Sequence, residues 1–247
     1  MAALLTAGVP VSGPYGRGYR GAGDGAVLLC VPDDAIPAAA GAVAAGPLLG
    51  HCSGASGLDV LGDREGFSLH PLMTVTRDGA DFTGVPAAIA GSTDRALAAA
   101  RALAGALGLR AVQVADSDRV AYHAAAAFAS NFLVTVESAA AQLMSTAGLD
   151  REVLLPLARA ALENWGRGGS SALTGPVARG DQRTVARHRE AVRSRAPELT
   201  ELFDALVGAT ERLASQNSRA QHPVGSAEPP ATGNDPTGAE LTQEPTP

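Results

Sequence analysis

The chain has 247 residues, 46% of them hydrophobic and 4% aromatic, and a formal net charge of −6. That length holds one large domain or two modest ones around a core of Ala, Leu and Val, and the acidic balance excludes a nucleic-acid or anionic-membrane surface. All nineteen basic residues are arginine, which removes any chemistry that needs a lysine amine, whether a Schiff base, a P-loop or a lysine acid.

Short apolar runs closed by turn residues come first. They are Ala26–Val31 before Pro32-Asp33, Pro47–His51 before Ser53-Gly54, Phe67–His70 before Pro71, Ala87–Ala90 before Gly91, and Ala111–Val114 before Asp116. Runs of this length read as buried strands. Between them, Asp34–Ala45 and Thr93–Leu107 read as helices, the second capped by Ser92 or Thr93. Strands that alternate with helices predict a parallel sheet with crossovers. From residue 116 the strand pattern stops. Asp118–Thr146 reads as one long Ala-rich helix, and a second follows Asp150 to about Arg167. A Gly/Ser-rich loop spans Gly168–Gly180, Asp181 caps a charged helix to about Arg195, and a last helix runs from Pro197 to near Ala214. The organisation expected is therefore an α/β domain over 1–115, a helical domain over 116–214 and a disordered polar tail over 215–247.

Cys30 and Cys52 lie in apolar segments and read as reduced thiols. The start carries no basic n-region, and no apolar run is expected to reach membrane-span length without Gly, Pro or charge. A soluble, cytoplasmic protein with no membrane or nucleic-acid partner is the expectation.

Five blocks carry a resemblance: Leu29–Asp33, Gly50–Gly54, Phe67–Met73, Tyr122-His123 through Ser130–Leu133, and Leu173–Asp181. In this order they resemble the 6-phosphogluconate-dehydrogenase-like superfamily. Within it they are similar to bacterial proteins that pair a Rossmann-like domain with a C-terminal helical domain of unknown function. The resemblance spans residue 1 to about 214 and implies an α/β, Rossmann-like parallel-sheet domain followed by an all-α domain like the C-terminal one of 6-phosphogluconate dehydrogenase. Kin such as pyrroline-5-carboxylate reductase, ketopantoate reductase and prephenate dehydrogenase imply NADP- or NAD-dependent hydride transfer on a small carboxylate-bearing substrate in an interdomain cleft. They also imply a homodimer formed through the helical domain. The family's opening strand and Gly-x-Gly-x-x-Gly turn are missing. Met1–Gly8 looks like the end of the first helix and Val9–Ser12 like the second strand, while Gly16-Arg17-Gly18 follows no strand-to-helix turn of the right kind. Either the start has been placed too late or the phosphate cradle is lost; the first is the expectation.

The candidate residues follow from strand ends and from the long helix. Val31, Pro32, Asp33 and Ser53 close strands where the resemblance places the cofactor, and His51 beside them is a substrate candidate. Arg17 is a candidate for an adenosine 2′-phosphate. His70, before Pro71, resembles the His-Pro pair of prephenate dehydrogenases and has a side chain able to move protons near neutrality. His123 and Asn131 stand eight residues apart on an apolar helix, with Ala127 where several relatives keep a catalytic lysine. His123 then takes the acid/base role and Asn131 orients substrate or cofactor. Thr174, Gly175 and Arg179 precede a capped helix and read as a clamp for a substrate anion. The competing reading is a non-catalytic Rossmann-like module that binds a nucleotide or metabolite as a sensor or scaffold.

Overall fold

The computed structural model describes residues 1–76 and 79–221. The chain divides into two compact units, Met1–Glu137 and Ser138–Pro247. Most of the expected tail, residues 222–247, lies outside the described residues.

The first unit is built on a five-stranded sheet of β1 (Ala26–Leu29), β2 (Leu48–His51), β3 (Gly66–Pro71), β4 (Pro86–Gly91) and β5 (Arg110–Gln113), in that spatial order. A short helix α1 (Ala2–Thr6) precedes it. β1, β2 and β3 are parallel, as are β4 and β5. The expected all-parallel sheet needs one correction: β3 and β4 run antiparallel. No helix forms among the described residues of their connection, and a parallel return needs a crossover that usually contains one.

Adjacent side chains on a strand face opposite ways, so Leu48 and Leu49 feed two different cores. On one face Leu48, Phe67, Leu69, Ala87 and Ile89 pack against α3 (Asp94–Ala106). Ala96, Ala100 and Ala104 repeat every four residues on that helix and are fully buried, so the helix backbone comes close to the sheet. Gly91 makes the approach possible, since a Cβ there would collide with the backbone of Leu97. Thr93 is the cap; its Oγ1 accepts from Ala96 N–H at 3.1 Å. On the other face Leu29 and Leu49 meet Ile36, Ala40 and Val43 from α2 (Ile36–Ala42) and its end, together with Leu61. Each large apolar side chain removed from water here contributes about 1.5–3 kcal/mol. The Arg64 guanidinium donates to the carbonyls of Val43 and Ala44 at 2.9 and 2.8 Å and so closes the C-terminal end of α2.

Two further expectations in this unit change. Val9–Ser12 form no strand, and among the described residues no strand pairs along the outer side of β1, so the segment has no ladder to join. β5 is exposed along its length rather than buried. One helix of the described residues comes near a membrane span, with Arg119 and Glu137 bounding its uncharged run. The helical stretch Asp116–Ser145 is long and apolar enough by length and composition, and none of its most apolar window is buried. It comprises a 3-10 turn, α4 (Arg119–Ala127), a π-helical turn at Phe128–Phe132 and α5 (Leu133–Ser145).

The second unit holds the end of α5 and helices α6 (Leu155–Gly168), α7 (Gln182–Arg195) and α8 (Thr200–Gln221). Asp150 does not cap with its side chain; a 3-10 turn, Arg151–Leu154, leads into α6, whose early Pro156 lacks only a donor the first turn leaves free. Asp181 does cap α7, accepting from Thr184 N–H at 3.0 Å. Val185 and Val192 are buried on one face of α7, and Arg189 pairs with Asp204 of α8 at 2.6 Å. α8 runs on to Gln221, beyond the expected stop at Ala214. Ser215 and Ser218 donate to the carbonyls four residues back at 2.9 and 3.0 Å, and Asn217 donates to Ser170 O at 2.7 Å. These bonds satisfy the hydroxyls on the helix itself without strengthening it.

Candidate active site at the ends of the parallel strands

The parallel strands β1, β2 and β3 finish at the same edge of the sheet, and most of the polar candidates of the first unit gather there. After β1, Asp33 opens a 3-10 turn. Its Oδ2 accepts from Ser53 Oγ at 2.6 Å, and Ser53 Oγ in turn accepts from Ser56 N–H at 2.9 Å. The Ser53 hydroxyl is buried and committed on both sides, so it positions Asp33; the expectation of a cofactor contact from Ser53 gives way to that role. Val31 and Asp33 remain exposed.

His51 also changes role. Its ring is fully buried. Nδ1 accepts from Ser53 N–H at 3.2 Å, which places the proton on Nε2, and Nε2 donates to Gly57 O at 3.1 Å. With both nitrogens on backbone partners, His51 holds the 53–57 loop in place and presents nothing to a substrate.

His70, at the end of β3, shares a hydrogen bond from Nδ1 to the Tyr122 hydroxyl at 2.9 Å. Its ring lies edge-on to that of His123, with centroids 5.8 Å apart. Between them sits Gly54. A Cβ on Gly54 would lie 2.5 Å from His123 Nδ1 and 2.8 Å from His70 Nε2, so only glycine lets the loop pass both rings. Two residues far apart in the chain thus become one histidine pair, with Tyr122 behind His70. Asn131 lies in the π-helical turn and is exposed. Eight residues of regular helix overshoot two turns by about 80°, and the wider winding of the π turn takes part of that back toward the face of His123.

Sequence reasoning missed Arg119. Its side chain is fully buried at the start of α4, where Nε donates to Asp116 Oδ1 at 3.1 Å and Nη2 donates to Ser68 Oγ. Nη1 has no hydrogen-bond partner among the described residues. Asp116 also accepts from Leu58 N–H at 3.2 Å, tying the helix start to the loop that His51 supports. An Asp-x-x-Arg pair opening an Ala-rich helix was visible in the sequence, although nothing there marked the arginine as buried.

The buried cation shapes the titration of its neighbours. Burial first, and then the Arg119 charge, lowers His51 below the ordinary 6.5; Gly57, Asp33 and Asp116 oppose this. His70 is lowered by burial, then by His123 and Arg119, against Asp33. Burial raises the Tyr122 phenol, which therefore stays protonated. Both histidines are neutral bases in the folded protein. Since the unfolded chain binds protons more readily, their contribution to stability is complete above about pH 6.5 and lost as the pH falls through the folded values. The melting midpoint is expected to drop between about pH 7 and about pH 5, and His51→Asn should flatten that drop. An equal slope in the variant would remove His51 from the account.

The other candidates stand apart. Arg17 is exposed in a turn between Tyr15 and Tyr19, whose rings stack at 3.9 Å, and no strand precedes it. In the second unit Thr174 and Arg179 are exposed and Gly175 is half-buried. Three amides at the end of that loop are taken. Arg179, Gly180 and Asp181 N–H bond to the carbonyls of Gly175, Val177 and Pro176, and Asp181 fills the cap of α7. The exposed side chains of Thr174 and Arg179 remain for the role expected of that loop.

Residues 85–210, just over half of the chain, match the model of a domain of unknown function, DUF2520. The chain belongs to that family. Among solved structures, a Bacteroides fragilis protein that carries the name of an NADP oxidoreductase is similar at 22% identity and a TM-score of 0.70, covering 76% of each chain. Protein TM1727 from Thermotoga maritima is similar at 26% identity and a TM-score of 0.67, covering 77% of this chain and 79% of its own. No curated protein matches the chain. These likenesses establish the Rossmann-like α/β fold with a helical C-terminal part. The family match begins at Val85, so Tyr122 and His123 fall inside it while Asp33, His51, Ser53 and His70 lie before it.

Proposed function

We propose that this chain is an NAD(P)-dependent oxidoreductase acting on a small carboxylate-bearing substrate. The observation that carries the reading is the pair His70 and His123, brought together across Gly54 at the carboxyl ends of parallel strands, where open α/β sheets bind their ligands. The similar fold of the Bacteroides fragilis protein supports it, and the nicotinamide cofactor comes to this chain as part of the proposal.

The residues present fit one end of such a cofactor. Asp33, held by Ser53, offers a fixed carboxylate beside the exposed backbone of Val31 and Pro32, suited to ribose hydroxyls. For the pyrophosphate, the described residues offer no strand–glycine-turn–helix; the glycine-rich stretch 16–25 is a turn pinned by Tyr19, which donates to Asp24 at 2.8 Å. When bound, the nicotinamide supplies or accepts the hydride. The chain's own task is the proton. His70 is a neutral base backed by a protonated Tyr122, and His123, more exposed, stands at the outer end of the same line. A proton taken by one ring has a partner to pass to, and no lysine is needed.

Nicotinamide fluorescence on titration with NADPH and NADH tests the reading. Saturable binding, weakened by Asp33→Asn, supports it. If neither nucleotide binds, the oxidoreductase reading falls and the metabolite-binding sensor or scaffold takes its place.

The reading extends to assembly and location. Val120, Phe128 and Val134 are 72%, 72% and 63% exposed on the Asp116–Ser145 helix, and covering exposed apolar side chains of this helix with a second copy stabilises them more than water does. A soluble cytoplasmic homodimer would give twice the chain mass by light scattering without detergent. A monomer, or material recovered only with membranes, would overturn this part.

A further inference from the structure

The chain has two cysteines, and the fold places both at one level of the sheet. Leu29 of β1 and His51 of β2 are register partners in a parallel ladder. The next residue on each strand is a cysteine, Cys30 and Cys52. In-register neighbours on parallel strands face the same side, with backbones about 4.7–4.9 Å apart. That spacing falls within the range of about 4.4–6.8 Å between Cα atoms that a disulfide spans. Both thiols are free, Cys30 exposed and Cys52 half-buried.

We propose that Cys30 and Cys52 form a peroxide-oxidisable dithiol that closes reversibly into an intrachain disulfide. Interaction with the Cys52 thiol lowers the Cys30 thiol to about 6, while the same interaction and burial push Cys52 up. Cys30 is thus the exposed thiolate that attacks, and Cys52 the protonated partner that resolves. In the first step the Cys30 sulfur bonds to one oxygen of hydrogen peroxide. The O–O bond breaks, hydroxide leaves, and Cys30 becomes a sulfenic acid. In the second, Cys52 gives its proton to that hydroxide and its sulfur displaces the sulfenic oxygen, which leaves as water after taking up a proton. The two thiols lose two electrons and two protons, and one peroxide becomes two waters. Asp33 lies three residues past Cys30, and Ser53 follows Cys52 directly, so the bond ties the strand ends that carry the Asp33–Ser53 contact.

The experiment treats the full chain with equimolar hydrogen peroxide and reads free thiols and mass. Both thiols should disappear together, the mass should fall by two hydrogens, a single peptide cross-link should join Cys30 to Cys52, and dithiothreitol should restore both. In Cys52→Ser the reaction should stop at a Cys30 sulfenic acid that dimedone traps. In Cys30→Ser thiol loss should slow by roughly tenfold or more, as a half-buried protonated thiol is a poor nucleophile. Thiols that survive peroxide, cross-links between chains, or Cys30 driven to the sulfinic acid with Cys52 still free would each overturn the proposal. None of these readouts depends on cofactor binding.

Discussion

Replacing His123 with alanine is expected to lower turnover by about 10²–10⁴-fold, the usual worth of a positioned acid–base group, with the melting midpoint almost unchanged. The ring is exposed on α4, so its loss opens no cavity in the core. Its nearest neighbours are Gly54 and the edge of His70, and neither depends on it for a hydrogen bond. Steady-state rates with NADPH and a panel of keto acids and imines make the measurement. Full turnover in the variant would take His123 out of the mechanism and leave the His70–Tyr122 pair to carry the proton alone.

Arg119→Met is expected to keep or raise stability while Arg119→Ala lowers it by about 2–4 kcal/mol, the cost of a large-to-small change in a packed site. The arginine is buried with one N–H unsatisfied, and its ion partner Asp116 is half in water at 49% exposure, so the Coulomb gain is screened while the desolvation is complete. Methionine keeps most of the volume and removes the buried charge. The same substitution should raise the pKa of His70 and of His51, because Arg119 is one of the charges holding both down. Denaturant unfolding gives the stability and NMR titration of the imidazoles gives the pKa. An Arg119→Met protein that unfolds as readily as the alanine variant would mean that the charge contributes more than its burial costs.

Both experiments address a site only half visible in the sequence. His70 and His123 could be singled out because a titratable ring beside a proline, or alone on an alanine-rich helix, contrasts with its surroundings. Asp33 could be singled out because it ends an apolar run. Their roles were less legible. His51 and Ser53 have the same polar character as a substrate contact, and only the closed hydrogen bonds to Gly57, Ser56 and Asp33 assign them to the scaffold. Arg119 carried no mark of burial, since charge in a sequence suggests solvent, and its surroundings come from β3 and from the loop after β2.

What the sequence by itself determined is what local physics determines. Apolar run length set the five strands, Thr93 and Asp181 set two helix starts, and the absence of lysine set the range of possible chemistry. What only the tertiary structure decided depends on contacts between distant segments. These include the antiparallel turn of β4, the exposure of β5, the lack of a ladder for Val9–Ser12, and the register that sets Cys30 beside Cys52. Strand order is a matter of which edges find partners, and a residue's burial is a matter of what else arrives. Neither is written in the few residues on either side.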